Sequence, residues 1–455
     1  MAESEQSADG GATWGARLLK PFAEVRPCEV STVLALAATI FFTLTAYYLL
    51  KVIREPLILV SHGAEVKSYA AAVQAVLLIP VLFVHGKLAR RVGRLTLIAS
   101  VFLFCVSNLL VFALLYRSGV SIGLPFYIWV GTFNFLLVAT FWSFANDVYS
   151  PEQGKRLFPI VGVGPTVGAL AGAGLATWML AHFDPMVLML ASGGLLVVCV
   201  GLFAWVHRHP ECPAKDRGAI VSRSEPLRGQ GGVEALLKDR YLLLVACIAL
   251  LVNWVTNSGE YVLDSTLKAA SLAAGLHGAE AIKYIGQFKG SYFLWINFLA
   301  LFSQLFIVSR ILKYLGVGTA MLMLPLVAMA SAASMALFPV LYVIRTAKIV
   351  EKATDYSVQN TAQNALYLVV SRDAKYKTKA VIDSFVVRAG DVCAAAAIYL
   401  GTELLGVSVR GFAALNVLLT MIWLAVAWRV GSIYRARSGT EALAAAPPRQ
   451  AVSSA

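Results

Sequence analysis

Arg345, Lys348, Lys352, Asp355, Gln359 and Gln363 all lie within one stretch, "RTAKIVEKATDYSVQNTAQNALYLVV" (345–370), of an otherwise strongly apolar chain. On a helix at about 100° per residue, Arg345, Lys352, Gln359 and Gln363 fall within about 40° of one another, with Lys348 and Asp355 on the same flank. Val343, Val350, Thr354, Thr361 and Ala365 lie opposite. The polar stripe extends about 27 Å at about 1.5 Å per residue, close to the hydrocarbon depth of a bilayer. A stripe of this kind cannot face lipid, where a central charge costs about 2.5 kcal/mol or more. It must face water or a protein interior. Two chemistries fit. One is a cationic path for an anion, with guanidinium matching phosphate or carboxylate in bidentate fashion. The other is a buried ion-pair seam, Lys348–Glu351 or Lys352–Asp355, each at i,i+3.

Three further stretches carry polar faces. "TAYYLLKVIREP" puts Tyr47, Lys51 and Arg54 at i, i+4, i+7, although Lys51 and Arg54 could instead snorkel to a membrane edge. Asn253, Asn257, Glu260 and Asp264 share another face, and Asn134, Asn146 and Asp147 a third; Lys379 and Arg388 lie further on. Cations outnumber acids among these residues, which suits an anionic solute. Tyr47, Tyr356, Tyr292 and Trp295 offer flat contacts to a ring, alongside the commoner packing role of aromatics. Glu260, Asp383 and Asp391 are the protonation sites if transport is instead proton-coupled. The six histidines lie in loops or near span ends, unpaired with a nucleophile, and no GxxxxGK[ST] loop occurs. The reading is therefore a non-enzyme with no cofactor, no metal and no ATPase of its own.

These residues are positioned by apolar runs of about 20 residues, long enough to cross a bilayer. The chain is 59% hydrophobic with only 14% charged residues and a mean hydropathy of +0.73. Twelve runs can be drawn, numbered here as spans 1 to 12: 32–53, 68–86, 95–116, 124–148, 158–181, 186–206, 241–263, 285–308, 319–338, 340–370, 379–403 and 408–429. The fold class is an all-α polytopic membrane protein, twelve helices in two six-helix halves. The first 31 residues are polar, with nothing resembling a signal cleavage site.

The net charge of +13 is placed by topology, not by nucleic acid. Lys87, Arg90, Arg91 and Arg94 follow span 2, Lys155 and Arg156 span 4, and Arg208, Lys215, Arg217, Arg223 and Arg228 span 6. Arg310 and Lys313 follow span 8, and Arg372, Lys375 and Lys377 span 10, whereas the intervening loops are poor in bases. By the positive-inside rule both termini are cytoplasmic in a cell inner membrane. The expected organisation is a cytoplasmic tail (1–31), a six-helix half (32–206), a Pro/Gly-rich cytoplasmic linker (207–238), a second half (239–430) and a disordered cytoplasmic tail (431–455). The cysteines follow no CxxC or Cys/His spacing and read as reduced packing residues.

The halves echo each other: "HGKLARRVGRLTLI" answers "SRILKYLGVGTAMLM", and "SPEQGKRLFPIVGVG" answers "SRDAKYKTKAVIDSF". Such parallel repeats resemble the major facilitator superfamily, whose site lies between the halves. "GKLARRVGR" is similar to its loop signature through Gly86, Arg91, Gly93 and Arg94, with Arg90 where aspartate is usual. "GVGPTVGALAG" resembles its glycine-proline antiporter motif at Gly164, Pro165 and Gly168, a pattern that plain helix packing also produces.

Within that superfamily the chain resembles the nucleotide transporter family of plastids and obligate intracellular bacteria. "YYLLKVIREPLILVSHGAE" is similar to the family's first helix through Lys51, Arg54 and Glu55. "FWSFANDVYSPEQGKRLFPIVGVG" matches through Phe141, Trp142, Asn146, Lys155, Arg156, Pro159 and Gly162. "KATDYSVQNTAQNALY" with "KYKTKAVIDSFVVRAG" resembles helices 10 and 11 through Lys352, Tyr356, Ser357, Lys379, Asp383, Arg388 and Gly390. The chain departs at Asp355, where the family has lysine, and at Asn360, Thr361, Gln363 and Asn364, where it has an acid-proline-lysine-glutamate run. Around Val130 and Thr256 the family's functional glutamates are replaced, with Glu260 one turn later. The resemblance implies nucleotide exchange by a monomer in the lipid bilayer, the solute being a nucleotide or phosphorylated metabolite and the cavity lined by helices 1, 4, 7 and 10. A proton-coupled carboxylate or drug transporter, and a non-transporting receptor, remain the alternatives.

Overall fold

The computed structural model describes residues 25–26, 29–89, 91–209, 232–370 and 378–445, with the side chains of Pro151, Gly232 and residues 439–445 left aside. Arg90, Lys215, Arg217, Arg223, Arg228, Arg372, Lys375 and Lys377, most of both tails and the middle of the linker lie outside the described residues.

Every one of the twelve runs coincides with helical structure. Nine helices among the described residues are long and apolar enough to cross a membrane, and a tenth span is made by Gly278–Phe306 with Val308–Tyr314, bent by 44° at the break. The remaining two, spans 10 and 11, fail that test. Span 10 is built from Leu341–Thr354, a π-helical turn Asp355–Gln359, and Asn360–Leu366. Span 11 carries π turns at Ile382–Val386 and Leu400–Leu404 around Val387–Tyr399. The i→i+5 bonds are explicit: Asn360 N–H donates to the Asp355 carbonyl, Val387 N–H to that of Ile382 and Leu405 N–H to that of Leu400. Such turns gather at functional sites in helical proteins.

The chain divides into two compact units, Met1–Glu225 with Lys268–Asn297, and Pro226–Leu267 with Phe298–Ala455. Residues 268–297, which include the first part of span 8, thus group with the first six spans, a grouping by contact that differs from the division by sequence.

In the first unit, span 1 (Val30–Ser61) is the central helix. Span 5 reaches it through glycines: a Cβ at Gly164 would lie 2.7 Å from the Ala37 carbonyl oxygen and one at Gly172 2.7 Å from that of Thr45, while one at Gly168 would overlap the Phe41 carbonyl. Glycines every four residues face carbonyls every four residues, so this segment packs backbone on backbone. Span 6 is tied to span 1 by small polar groups, Ser192 Oγ donating to the Ala46 carbonyl at 3.1 Å and Cys199 Sγ to that of Thr39 at 3.5 Å. Cys105, Cys199, Cys247 and Cys393 are unbridged. Beyond span 1, Glu29 accepts from Arg156 at 2.9 Å and from the Arg26 N–H at 3.0 Å. Burial pushes the Glu29 carboxyl up, but the Arg26 N–H and the Arg156 guanidinium outweigh it and hold the group below the ordinary carboxylate range. The stabilisation this gives is present at neutral pH and fades as pH falls through the lowered value.

In the second unit, spans 9 and 12 meet at Gly318 and Gly431, where a Cβ on Gly318 would lie 3.0 Å from the Gly431 carbonyl. Span 11 meets span 7 at Gly390, 2.7 Å by the same measure from the Leu250 carbonyl. Tyr241 OH donates to the Leu366 carbonyl at 2.9 Å, fixing the start of span 7 to the end of span 10. Arg437 clamps Asp239 through two bonds of 2.9 and 3.0 Å.

Candidate functional site

Each unit carries its own intramembrane cluster of charge. In the first, the sequence-assigned Tyr47, Lys51 and Arg54 are brought together. Lys51 Nζ sits over three ring faces, 4.4 Å from the Phe293 centroid, 4.8 Å from Tyr48 and 5.9 Å from Tyr47. Arg54 is buried against the Tyr127 ring at 4.5 Å and lies 3.4 Å from Glu55 Oε1. It does not snorkel outward. Glu55, itself buried, also receives Lys67 in a short ion pair and has Lys289 Nζ at 3.8 Å. One carboxylate thus gathers three cations from spans 1, 2 and 8. In a low-dielectric interior charges must be compensated in this way to persist. Beside Tyr47 a narrow apolar hollow is lined by Trp129, Phe133 and Asn134, and the buried Asn134 Oδ1 makes no hydrogen bond among the described residues.

In the second unit, spans 7, 10 and 11 converge. Asp391 accepts from Asn257 Nδ2 at 2.7 Å and from Arg388 Nη1 at 3.1 Å. Lys348, fully buried, donates to Glu351 at 2.6 Å and to the Thr256 carbonyl at 3.4 Å. Gly259 makes room for it, since a Cβ there would lie 2.8 Å from Lys348 Nζ. Lys352 stacks 5.8 Å from the Tyr356 ring and lies within electrostatic reach of Asp355 and Asp391. Three cations and three acids share this region.

The single stripe drawn along 345–363 needs correction. The π turn at Asp355–Gln359 inserts a residue's worth of rotation, so the 100° step does not carry across it. Lys348 takes the ion-pair arrangement with Glu351, and its carboxylate partner is supplied from its own helix. Gln359 is 1% exposed, and neither its Oε1 nor its Nε2 finds a hydrogen-bond partner among the described residues. Arg345, Asp355 and Gln363 are half-buried on the same span, and Glu260 is half-buried on span 7. Others fall away from the clusters. Asn146 is exposed at the end of span 4, Asp383 is exposed, and Lys379 donates to Asn364 at 2.7 Å. Trp295 is exposed, whereas Tyr292 stays with the first cluster, fully buried with Lys289 Nζ 5.3 Å from its ring centroid. Arg94 of the loop signature pairs with Asp147 at 2.8 Å, on the surface.

Lys289 and Lys67 were not among the assigned site residues. A lysine inside the apolar run 285–308 is by itself a signal, because an intramembrane cation is costly and must be answered by a partner. Which carboxylate answers it is visible only in three dimensions.

Lys348→Met is expected to cost roughly 2–3 kcal/mol of stability by leaving Glu351 without its ammonium. Lys348→Met with Glu351→Gln should regain most of that loss, read as melting temperature in detergent. A double variant no more stable than the single one would contradict the pairing.

No protein-family model matches the chain. ADP,ATP carrier protein 1 of Chlamydia trachomatis is 22% identical over 294 residues, 56% of this chain and 54% of that protein. The chloroplastic ADP,ATP carrier protein 2 of Arabidopsis thaliana is 22% identical over 295 residues, 57% of this chain and 45% of that protein. The alignments cover about half the length of these relatives. Among solved structures, a bacterial homologue of the iron transporter ferroportin in an inward-facing state matches with a TM-score of 0.62 at 13% identity, over 88% of this chain and 99% of the other. The nucleoside transporter NupG matches with a TM-score of 0.61 at 12% identity, over 89% and 99%. At such identities the structures establish the fold. The chain is a polytopic membrane protein, all-α among the described residues, with the major-facilitator fold of these transporter structures, and over about half its length it is similar in sequence to ADP,ATP carrier proteins.

Proposed function

We propose that this protein is a secondary active transporter, not an enzyme, that exchanges a nucleotide or related phosphorylated anion by alternating access. The observation that carries the reading is the cationic face of span 1, where Lys51 rests on three aromatic rings and Arg54 on a fourth. Ring faces help to hold cations inside the membrane, and a polyphosphate can accept hydrogen bonds from such donors. The relatives named as ADP,ATP carriers support the same solute class. The solute-contacting set is proposed as Tyr47, Lys51, Arg54, Asn257, Glu260, Arg345, Lys352, Asp355, Gln359, Gln363 and Arg388. Lys348 acts within its ion pair, while Asn146 and Lys379 lie toward the span ends. Counterflow of labelled ADP into proteoliposomes loaded with ADP or ATP tests the reading.

Lys352→Gln or Lys51→Gln is expected to weaken apparent affinity about ten- to a hundred-fold, the roughly 1.5–3 kcal/mol of a charge-assisted contact. Concentration-dependent uptake measures this, and an unchanged half-saturation would remove that lysine from the solute path.

A second reading is favoured by Asp391, a buried carboxylate shared between Arg388 and Asn257. It would make the protein a proton-coupled carrier, and acid-driven uptake without solute on the far side would reveal it. In the proposed orientation both termini and the basic loops are cytoplasmic, the two six-span halves are joined by the linker 207–238, and the protein works as a monomer. Cysteine placed at Lys313 or Arg223 should then react with an impermeant maleimide only after cells are opened; labelling in intact cells would reverse the orientation.

A further inference from the structure

We propose that Lys289 and Glu55 form a releasable ionic latch at the end of the bundle remote from the basic loops. The proposal rests on the transporter reading above, without depending on which solute is moved. Gly286, Lys289, Gly290, Phe293 and Asn297 recur at i, i+3, i+4, i+7 and i+11 and form one face of span 8. That whole face is engaged within the first unit. A Cβ at Gly286 would lie 2.7 Å from Leu180 Cδ1 and 3.5 Å from Pro56, and one at Gly290 would overlap Thr177 Oγ1. Phe293 lies against the Lys51 ammonium, and Asn297 Oδ1 accepts from Tyr48 OH at 3.2 Å. Lys289, fully buried, stands between the two glycines with Nζ 3.8 Å from Glu55.

The charge arrangement is what makes this contact a latch. Glu55 keeps Arg54 on its own span and Lys67 on the adjoining span 2, so withdrawing Lys289 does not strand a buried carboxylate. Lys289 makes the longest of the three contacts, and it alone comes from span 8, which by sequence belongs to the second repeat. Span 8 can therefore leave with its lysine while spans 1 and 2 remain compensated. The glycines let the helices close tightly, and the lysine adds a charge contact to that closure. Because Phe293 on the same face holds Lys51, a solute that draws Lys51 away from the ring loosens the same contact.

The test places cysteine at Thr177, which the closed latch covers with Gly290. An impermeant maleimide is then applied to the side opposite the basic loops, in membranes containing the full chain. Lys289→Met, or Lys289→Gln should the first variant not reach the membrane folded, is expected to raise the labelling rate about tenfold or more. Lys289→Arg, which keeps the charge, should stay near the parent rate. Equal labelling of parent and neutral variants would overturn the latch, and so would an arginine variant that labels as fast as the neutral ones. Since labelling reads exposure and needs no solute, failure here is distinct from failure of nucleotide counterflow.

Discussion

Glu55→Gln is expected to lower the melting temperature sharply and to leave little protein folded in detergent. The carboxylate is buried and is shared by Arg54, Lys67 and Lys289. A neutral amide of the same shape preserves packing but removes the charge that those three cations answer, and breaking a buried charge network from one side costs about 3–5 kcal/mol. Lys289→Met should cost less, because Glu55 then retains two cations. Fluorescence-detected thermal melting of the two variants against the parent decides the order. If Glu55→Gln melts with the parent, the cluster contributes nothing to the fold.

The other large effect is expected at Gly168. A side chain there has no empty space to enter, because its first carbon would already overlap the Phe41 backbone carbonyl, and backbone cannot step aside as a side-chain tip can. Gly168→Leu must push span 5 off span 1 along the whole glycine ladder, with a cost at or beyond the top of the roughly 1–3 kcal/mol typical of overpacking. Thr45 Oγ1, which reaches the Gly168 carbonyl at 3.3 Å, would lose that partner as well. Gly194→Leu is the control, since nothing lies within 4 Å of a Cβ at that site. The expected result is loss of folded yield for Gly168→Leu and parental yield for Gly194→Leu. Normal melting of Gly168→Leu would mean that spans 1 and 5 are not packed backbone on backbone.

Much of this architecture was legible from residue types alone. Apolar run length locates ten of the spans, because a bilayer demands about 20 apolar residues per crossing, while spans 10 and 11 are helical but too polar or broken to pass that measure. The polar faces of spans 1, 7 and 10 were legible for the same reason, charge in hydrocarbon being too costly to be incidental. The glycines of "GVGPTVGALAG" were ambiguous until the carbonyls of Ala37, Phe41 and Thr45 appeared opposite them at the same spacing. What the sequence could not carry was the rotation of span 10 at Asp355–Gln359, since a π turn has no composition of its own. Nor could it choose between Lys348 facing a solute and Lys348 facing Glu351, which share one helix and one spacing. The Glu55 cluster needed contacts over 12 and 234 residues of chain, Glu55 to Lys67 and Glu55 to Lys289, and no local pattern encodes those.

The cationic face of span 1 is proposed to serve an anionic solute exchanged across the membrane. The most direct test is counterflow in proteoliposomes at matched pH, with labelled ADP outside and unlabelled ADP, ATP, a sugar phosphate or nothing inside. Uptake is expected to require a nucleotide or phosphorylated anion on the far side and to fall about ten-fold or more in affinity with Lys51→Gln. Uptake of a non-phosphorylated solute driven by an acid gradient, with no counterflow of ADP and no response to Lys51→Gln, would contradict it.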